Sequence, residues 1–186
     1  MKEYKNITLD HETNPWATHQ PALIWAIEKS EGDVLELGVG NSSTVLLNSL
    51  LKNTGRNLVS AEDTDSWLDQ FIYMESNFHK FKIVDRSIEK WKEFIDDCSK
   101  KKWGVVFVDQ AYGEIWYPVR HYAVEVLCNV SDYVVVHDAD LCLEIKKEEY
   151  NYFEYIPTIC PIPDRKGPST YIISKKHDVK NIQILE

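Results

Sequence analysis

Acidic and histidine side chains stand at the downstream ends of this chain's apolar runs, and that is where chemistry could be done. Val34-Leu35-Glu36-Leu37 runs into Gly38-Val39-Gly40, and Leu58-Val59-Ser60-Ala61 ends at Glu62-Asp63. Phe81-Lys82-Ile83-Val84 ends at Asp85-Arg86-Ser87, and Val105 to Val108 ends at Asp109-Gln110. Tyr133 to Val136 ends at His137-Asp138-Ala139-Asp140. Short runs of β-branched and aliphatic residues read as buried parallel strands. Charged groups at strand ends are also where any chain becomes wet, which explains them one by one but explains the joint pattern less well. In doubly wound sheets, ligands bind outside those strand ends.

The glycine turn is the most specific of these junctions. Gly38 and Gly40 allow a tight bend and remove side chains where backbone could meet a ligand. Ser42 or Ser43 suits the N-cap of a helix over 43–53 carrying Val45, Leu46, Leu47, Leu50 and Leu51, which Gly55 stops. A strand, turn and helix of this kind hold the polar end of a nucleotide-like cofactor. A dinucleotide fingerprint wants a third glycine where Ser43 stands, which disfavours a nicotinamide-dependent oxidoreductase.

The elements that must position these groups are legible from spacing. Thr18 can cap a helix through Pro21, Leu23, Ile24, Trp25 and Ile27. Asp65 can cap one carrying Trp67, Leu68, Phe71, Ile72 and Met74, and Ser87 one carrying Ile88, Trp91, Phe94 and Ile95. A further helix begins near Pro118. Residues 139–151 read as partly helical, and strands follow near 153–159 and 169–174, with the tail 181–185 as a last edge strand. Strand alternates with helix, then strands come close together. This predicts an α/β three-layer sandwich: a mostly parallel seven-stranded sheet, an antiparallel C-terminal strand and helices on both faces.

The 186 residues are expected to form a single domain, with 1–31 as N-terminal lid and helix and 32–186 as cofactor-binding core. A net charge of −9, with only short lysine clusters at 100–102, 146–147 and 175–176, makes nucleic acid an unexpected partner and a small molecule an expected one. No apolar run approaches the roughly 20 residues that span a bilayer, and residues 1–5 lack a signal-peptide core, so no membrane partner and a cytoplasmic location are expected. Cys98, Cys128, Cys142 and Cys160 form no C-x-x-C pair and read as buried reduced thiols.

On Glu36-Leu37-Gly38-Val39-Gly40, Glu62, Val106-Phe107-Val108-Asp109 and Ser169-Thr170-Tyr171-Ile172, residues 18–175 resemble the class I S-adenosylmethionine-dependent methyltransferases. The resemblance implies S-adenosylmethionine as cofactor and methyl transfer to a small-molecule acceptor such as a sugar or metabolite hydroxyl. A non-catalytic cofactor-binding domain of the same fold is the alternative. Glu36 would meet the ammonium of the methionine moiety, directly or through water, and Gly38, Gly40, Asn41 and Ser43 would carry the backbone along the cofactor. Glu62, with Asp63 beside it, would accept from the ribose hydroxyls. Asp85, Arg86 and Ser87 lie where the adenine edge is read. Asp109 and Gln110 would end beside the transferred methyl, and Trp16, Thr18 and His19 would fold over the cofactor.

Asp109, His137 and Asp138 are the candidate catalytic groups. His137 reads either as a general base or as an ordinary hydrogen-bonded strand-end residue. Members of the family that use magnesium place acidic ligands at the positions of Asp109 and Asp138, and hard cations prefer oxygen. His137 departs from an all-oxygen set and no third ligand is readable, so a divalent metal such as magnesium is not favoured. Asp109 to Tyr117 reads as the acceptor loop, with Tyr150, Tyr152, Phe153 and Tyr155 as further candidates for the same pocket.

Overall fold

Seven strands form one sheet in the computed structural model, which describes residues 7, 9–12, 14–110, 116–139, 150–157 and 168–184. The elements are α1 Gln20–Lys29, β1 Val34–Leu37, α2 Thr44–Leu51, β2 Leu58–Glu62, α3 Asp65–Leu68 and β3 His79–Ile83. They continue with α4 Ile88–Cys98, β4 Trp103–Val108, α5 Trp116–Leu127, β5 Ser131–Val136, β6 Asn151–Tyr155 and β7 Thr170–Ser174. The strand order is β3-β2-β1-β4-β5-β7-β6. Strands β1 to β5 pair in parallel, while β7 runs antiparallel to both β5 and β6. The sandwich expected from the alternation of strand and helix is the one observed.

Side chains alternate across the sheet as a strand period of two requires. Val34, Val105, Phe107 and Val135 join the core under α1 and α2. Leu35, Leu37, Val106, Val108, Val134 and Val136 join the core under α4 and α5. With both faces covered, β4 is buried along its whole length. The sheet changes direction between β1 and β4, and that seam is where the candidate site lies.

Helix starts differ from expectation, in position or in capping, at three places, each for a local reason. Thr18 does not cap α1, which begins at Gln20; its hydroxyl turns inward to His137. Ser43 holds the N-cap position of α2, as expected, but without a capping hydrogen bond. Its backbone is already helical, and the Thr44 hydroxyl accepts from the Gly40 N–H at 2.9 Å instead. Asp65 is itself the first residue of α3, and the helix stops at Leu68 rather than running to Met74. The Trp67 indole N–H donates to the Val39 carbonyl at 2.6 Å, and Leu68 and Phe71 close on Val39 and Phe81. The chain wraps that cluster and resumes as a separate 3-10 turn at Ile72–Met74.

Ser87 does cap α4, its hydroxyl accepting from the Lys90 N–H at 3.1 Å. Ser87→Ala is therefore expected to lower stability by about 1 kcal/mol, read as a shift in the urea midpoint. Residues 181–184 form no strand: Ile182 and Ile184 pack half-buried on the α1 side of the core, and among the described residues β6 is the edge. Cys98 and Cys128 are free and buried, and burial pushes both thiols up to about 12. Among the described residues, no helix is long and apolar enough to cross a membrane. Cys142, Cys160, the helical expectation over 140–149 and the acceptor-loop residues 111–115 lie outside the described residues.

Candidate functional site

A cavity of about 410 Å³ opens at the seam between β1 and β4, beside the turn that joins β1 to α2. Of the residues singled out from the sequence, His19, Gly40, Asn41, Ser43, Asp109, His137 and Asp138 line it, with Trp16 at its lip. Trp16 is 74% exposed, an unusual setting for an indole that touches a cavity.

The two glycines of the turn do different work. Gly38 has φ +92°, and a Cβ there would come within 2.5 Å of the Asp109 backbone carbonyl. It is glycine because the ends of β1 and β4 converge, not because a ligand touches it. Gly40 lines the cavity, and a Cβ on it would find only the Ser43 hydroxyl, at 3.5 Å. Nothing among the described residues requires glycine at 40.

Glu36 differs from its expected place. Its side chain is fully buried behind the turn, outside the residues that line the cavity. It accepts from Ser60 at 2.5 Å and from Thr44 at 3.0 Å, and Thr44 in turn receives the Gly40 N–H. The carboxylate thus fixes the turn from beneath. Burial pushes Glu36 up to about 7, against the hydroxyls of Ser60, Ser43 and Thr44 that pull it down. Glu62, at the end of β2, receives the Val39 N–H at 3.0 Å, and burial raises its pKa too. Asp63 accepts from the Trp91 indole at 3.0 Å and so anchors α4. Arg86 is exposed, Ser87 is occupied as a helix cap, and neither lines the cavity.

At the other end of the cavity a polar cluster joins three elements. Asp109, just past β4, accepts from Arg120 at 2.7 Å through one oxygen and faces His137 Nδ1 at 3.3 Å through the other. His137 Nε2 lies 3.1 Å from the Thr18 hydroxyl and 3.7 Å from Asp138. Both ring nitrogens of His137 are therefore engaged. Burial alone would raise Asp109, but the charges of His137 and Arg120 outweigh it and hold its carboxyl well below the usual range. Burial alone would lower His137, but Asp109 and Asp138 outweigh it and its pKa is raised. His19 is the reverse case: burial, with His137 beside it, pushes it down to about 3, a neutral imidazole.

Four lining groups are not among the site residues expected from the sequence: Asn14, Ser42, Trp67 and Arg120. Arg120 had a signal. It stands among Val119, Ala123, Val124 and Leu127 on the buried face of α5, a position where arginine does not occur without partners. Its guanidinium donates to the carbonyls of Gln110 and His137 at 2.9 Å as well as to Asp109, tying β4 to β5. Gln110 offers that carbonyl, while its side-chain amide is buried without a partner among the described residues and does not line the cavity.

No family model matches the chain, and no curated protein sequence matches it. Solved structures match its fold. An O-methyltransferase from Bacillus cereus in complex with SAH is 14% identical with a TM-score of 0.57, the match covering 88% of this chain and 81% of that one. The N-methyltransferase NodS from Bradyrhizobium japonicum WM9 is 9% identical with a TM-score of 0.52, covering 86% and 95%. A candidate RNA methyltransferase from Pyrococcus horikoshii is 17% identical with a TM-score of 0.51, covering 93% and 90%. The chain has the α/β fold of S-adenosylmethionine-dependent methyltransferases.

Proposed function

We propose that the chain transfers a methyl group from S-adenosylmethionine to a hydroxyl of a small molecule. The observation that carries this is the cavity at the strand seam, bordered by a glycine that nothing among the described residues requires. The backbone from Val39 to Ser43 would cradle the methionine moiety, with Glu36 fixing the turn from below. Glu62 would hold the ribose and Trp67 would flank it, while Thr18 and His19 close the far side. Carboxylates around the site favour a sulfonium electrostatically.

Asp109, His137 and Asp138 would face the reacting methyl and the acceptor. The acceptor oxygen bonds to the methyl carbon as the carbon–sulfur bond breaks. That bond's electron pair stays on sulfur, leaving S-adenosylhomocysteine, and the oxygen's proton goes to Asp138 on the cavity wall. Asp138 takes this role rather than His137, whose two nitrogens already face Asp109 and Thr18. Much of the rate would come from holding donor and acceptor in line. A net charge of −9 favours a small acceptor over RNA.

Calorimetry with S-adenosylhomocysteine tests the reading. Binding with a matching rise in melting temperature is expected, and none with nicotinamide cofactors. Glu62→Ala is expected to weaken that binding about tenfold, some 1.4 kcal/mol, with the fold kept. Absence of heat from either form of the cofactor at millimolar concentration overturns it.

A further inference from the structure

His19 closes one side of the cavity in the methyl-transfer reading, but that role gives its ring nitrogens nothing to do. Its imidazole is 1% exposed, lines the cavity, and has no hydrogen-bond partner among the described residues on either ring nitrogen. Its neighbours are the rings of Phe107 at 4.8 Å and His137 at 4.6 Å. Burying a polar group without a partner is costly, and native proteins rarely do so without a bound water or ion to meet it.

We propose that His19, Asp109 and His137 bind a divalent first-row transition-metal ion at the inner end of the cavity. One ligand atom from each lies within 4.8 Å of the other two. His137 Nδ1 and the Asp109 oxygen facing it are 3.3 Å apart. Adjacent ligands that each sit about 2.1 Å from a shared ion are roughly 3 Å apart, so this pair needs little movement and His19 needs to close by more.

The surroundings hold the ligands as a metal site requires. A histidine that binds metal through one nitrogen gives its other N–H to an acceptor, and a ligating carboxylate is itself hydrogen-bonded. Here His137 Nε2 meets the Thr18 hydroxyl, whose own proton is directed at the Pro15 carbonyl at 3.4 Å. Arg120 holds the second oxygen of Asp109. With Nε2 turned to the Thr18 hydroxyl, a bound ion would take the place of the proton that Nδ1 shares with Asp109.

The donor set fixes the class of ion. Two imidazoles and one carboxylate suit zinc, cobalt, manganese, iron or nickel, whereas magnesium and calcium seek oxygen throughout. This differs from the magnesium site weighed from the sequence, because His19 supplies the third ligand that could not be read there. Open coordination positions would face the cavity and could hold an acceptor oxygen, a role that rests on the methyl-transfer reading; the ion's binding does not.

The test uses the full chain, stripped with chelator, and cobalt(II) as probe. One equivalent is expected to give visible ligand-field bands and a saturable calorimetric isotherm with one site per chain. His19→Phe removes the imidazole while filling its space. It is expected to weaken cobalt binding at least tenfold and to leave the metal-free melting temperature unchanged or higher, since no hydrogen bond among the described residues is lost. Asp109→Asn is expected to weaken cobalt as well. Wild-type protein that shows neither bands nor heat overturns the proposal, as does a His19→Phe variant that binds cobalt equally well. Binding of S-adenosylhomocysteine is measured on the same samples. If it persists while cobalt fails, the metal site falls and the methyl-transfer reading stands; if it fails while cobalt binds, the converse holds.

Discussion

Gly38→Ala is expected to leave little stable protein, whereas Gly40→Ala is expected to fold normally and lose the cofactor. The two substitutions are chemically identical and two residues apart, so the contrast isolates geometry. Gly38 has φ +92°, which strains any residue bearing a Cβ. The added methyl would also sit 2.5 Å from the carbonyl carbon and oxygen of Asp109. Neither strand can yield easily, because the Gly38 N–H bonds the Ala61 carbonyl at 2.8 Å and the Asp109 N–H bonds the Leu37 carbonyl at 2.7 Å. A cost on the order of 3–5 kcal/mol follows, a large part of the 5–15 kcal/mol that holds a typical domain together. At Gly40 the methyl meets only the Ser43 hydroxyl at 3.5 Å, an ordinary contact, so stability is expected to change by less than about 1 kcal/mol. Because Gly40 borders the cavity, the same methyl is expected to weaken S-adenosylhomocysteine more than tenfold. Thermal melts and calorimetry on both variants decide it. A normally melting Gly38→Ala protein would refute the close approach of the two strands, and undiminished binding by the Gly40→Ala protein would take the turn out of the site.

That contrast also marks how far the sequence could be read. The β1 turn, the acids gathered at strand ends and the order of elements were visible, because apolar runs and glycines are local signals. Ser87 as a cap was visible for the same reason, three residues from the N–H it accepts. What could not be read were partners brought together by the sheet. Gly38 answers to Asp109, 71 positions away along the chain, and Thr18 turns to His137 rather than to its own helix. Asp63 looked like a companion to Glu62 at a ligand, yet it holds the Trp91 indole. Glu36 was legible as important and misread in position: the strand period of two that buries Leu35 and Leu37 on one face puts Glu36 on the other, beneath α2.

Glu36→Gln is expected to change markedly how stability responds to pH between 5 and 8. The carboxyl is the end of a directed chain. The Asn48 amide donates to His79 Nδ1 at 2.8 Å, so His79 Nε2 carries the ring proton and donates to the Ser60 hydroxyl at 2.9 Å. Ser60 then donates to Glu36 at 2.5 Å, and Thr44 donates from the other side. Every partner points a hydrogen at the carboxylate, which favours its charge, while complete burial opposes it and lifts its pKa to about 7. In the unfolded chain the group titrates near its ordinary value of 4.5. The folded state thus binds this proton more tightly. Its contribution is complete below about pH 4.5 and is lost as pH rises through 7, a span worth about 3 kcal/mol. Buried His19 and His79, lowered to about 3 and about 4, act in the opposite direction as acid is added. The wild-type curve alone therefore hides the effect, and the difference between wild type and Glu36→Gln reveals it. Measured by urea unfolding from pH 8 to pH 5, that difference is expected to move steadily in favour of the wild type as pH falls. A difference that stays flat would mean the hydroxyls hold Glu36 charged throughout, with burial the weaker influence on the residue that sets the turn.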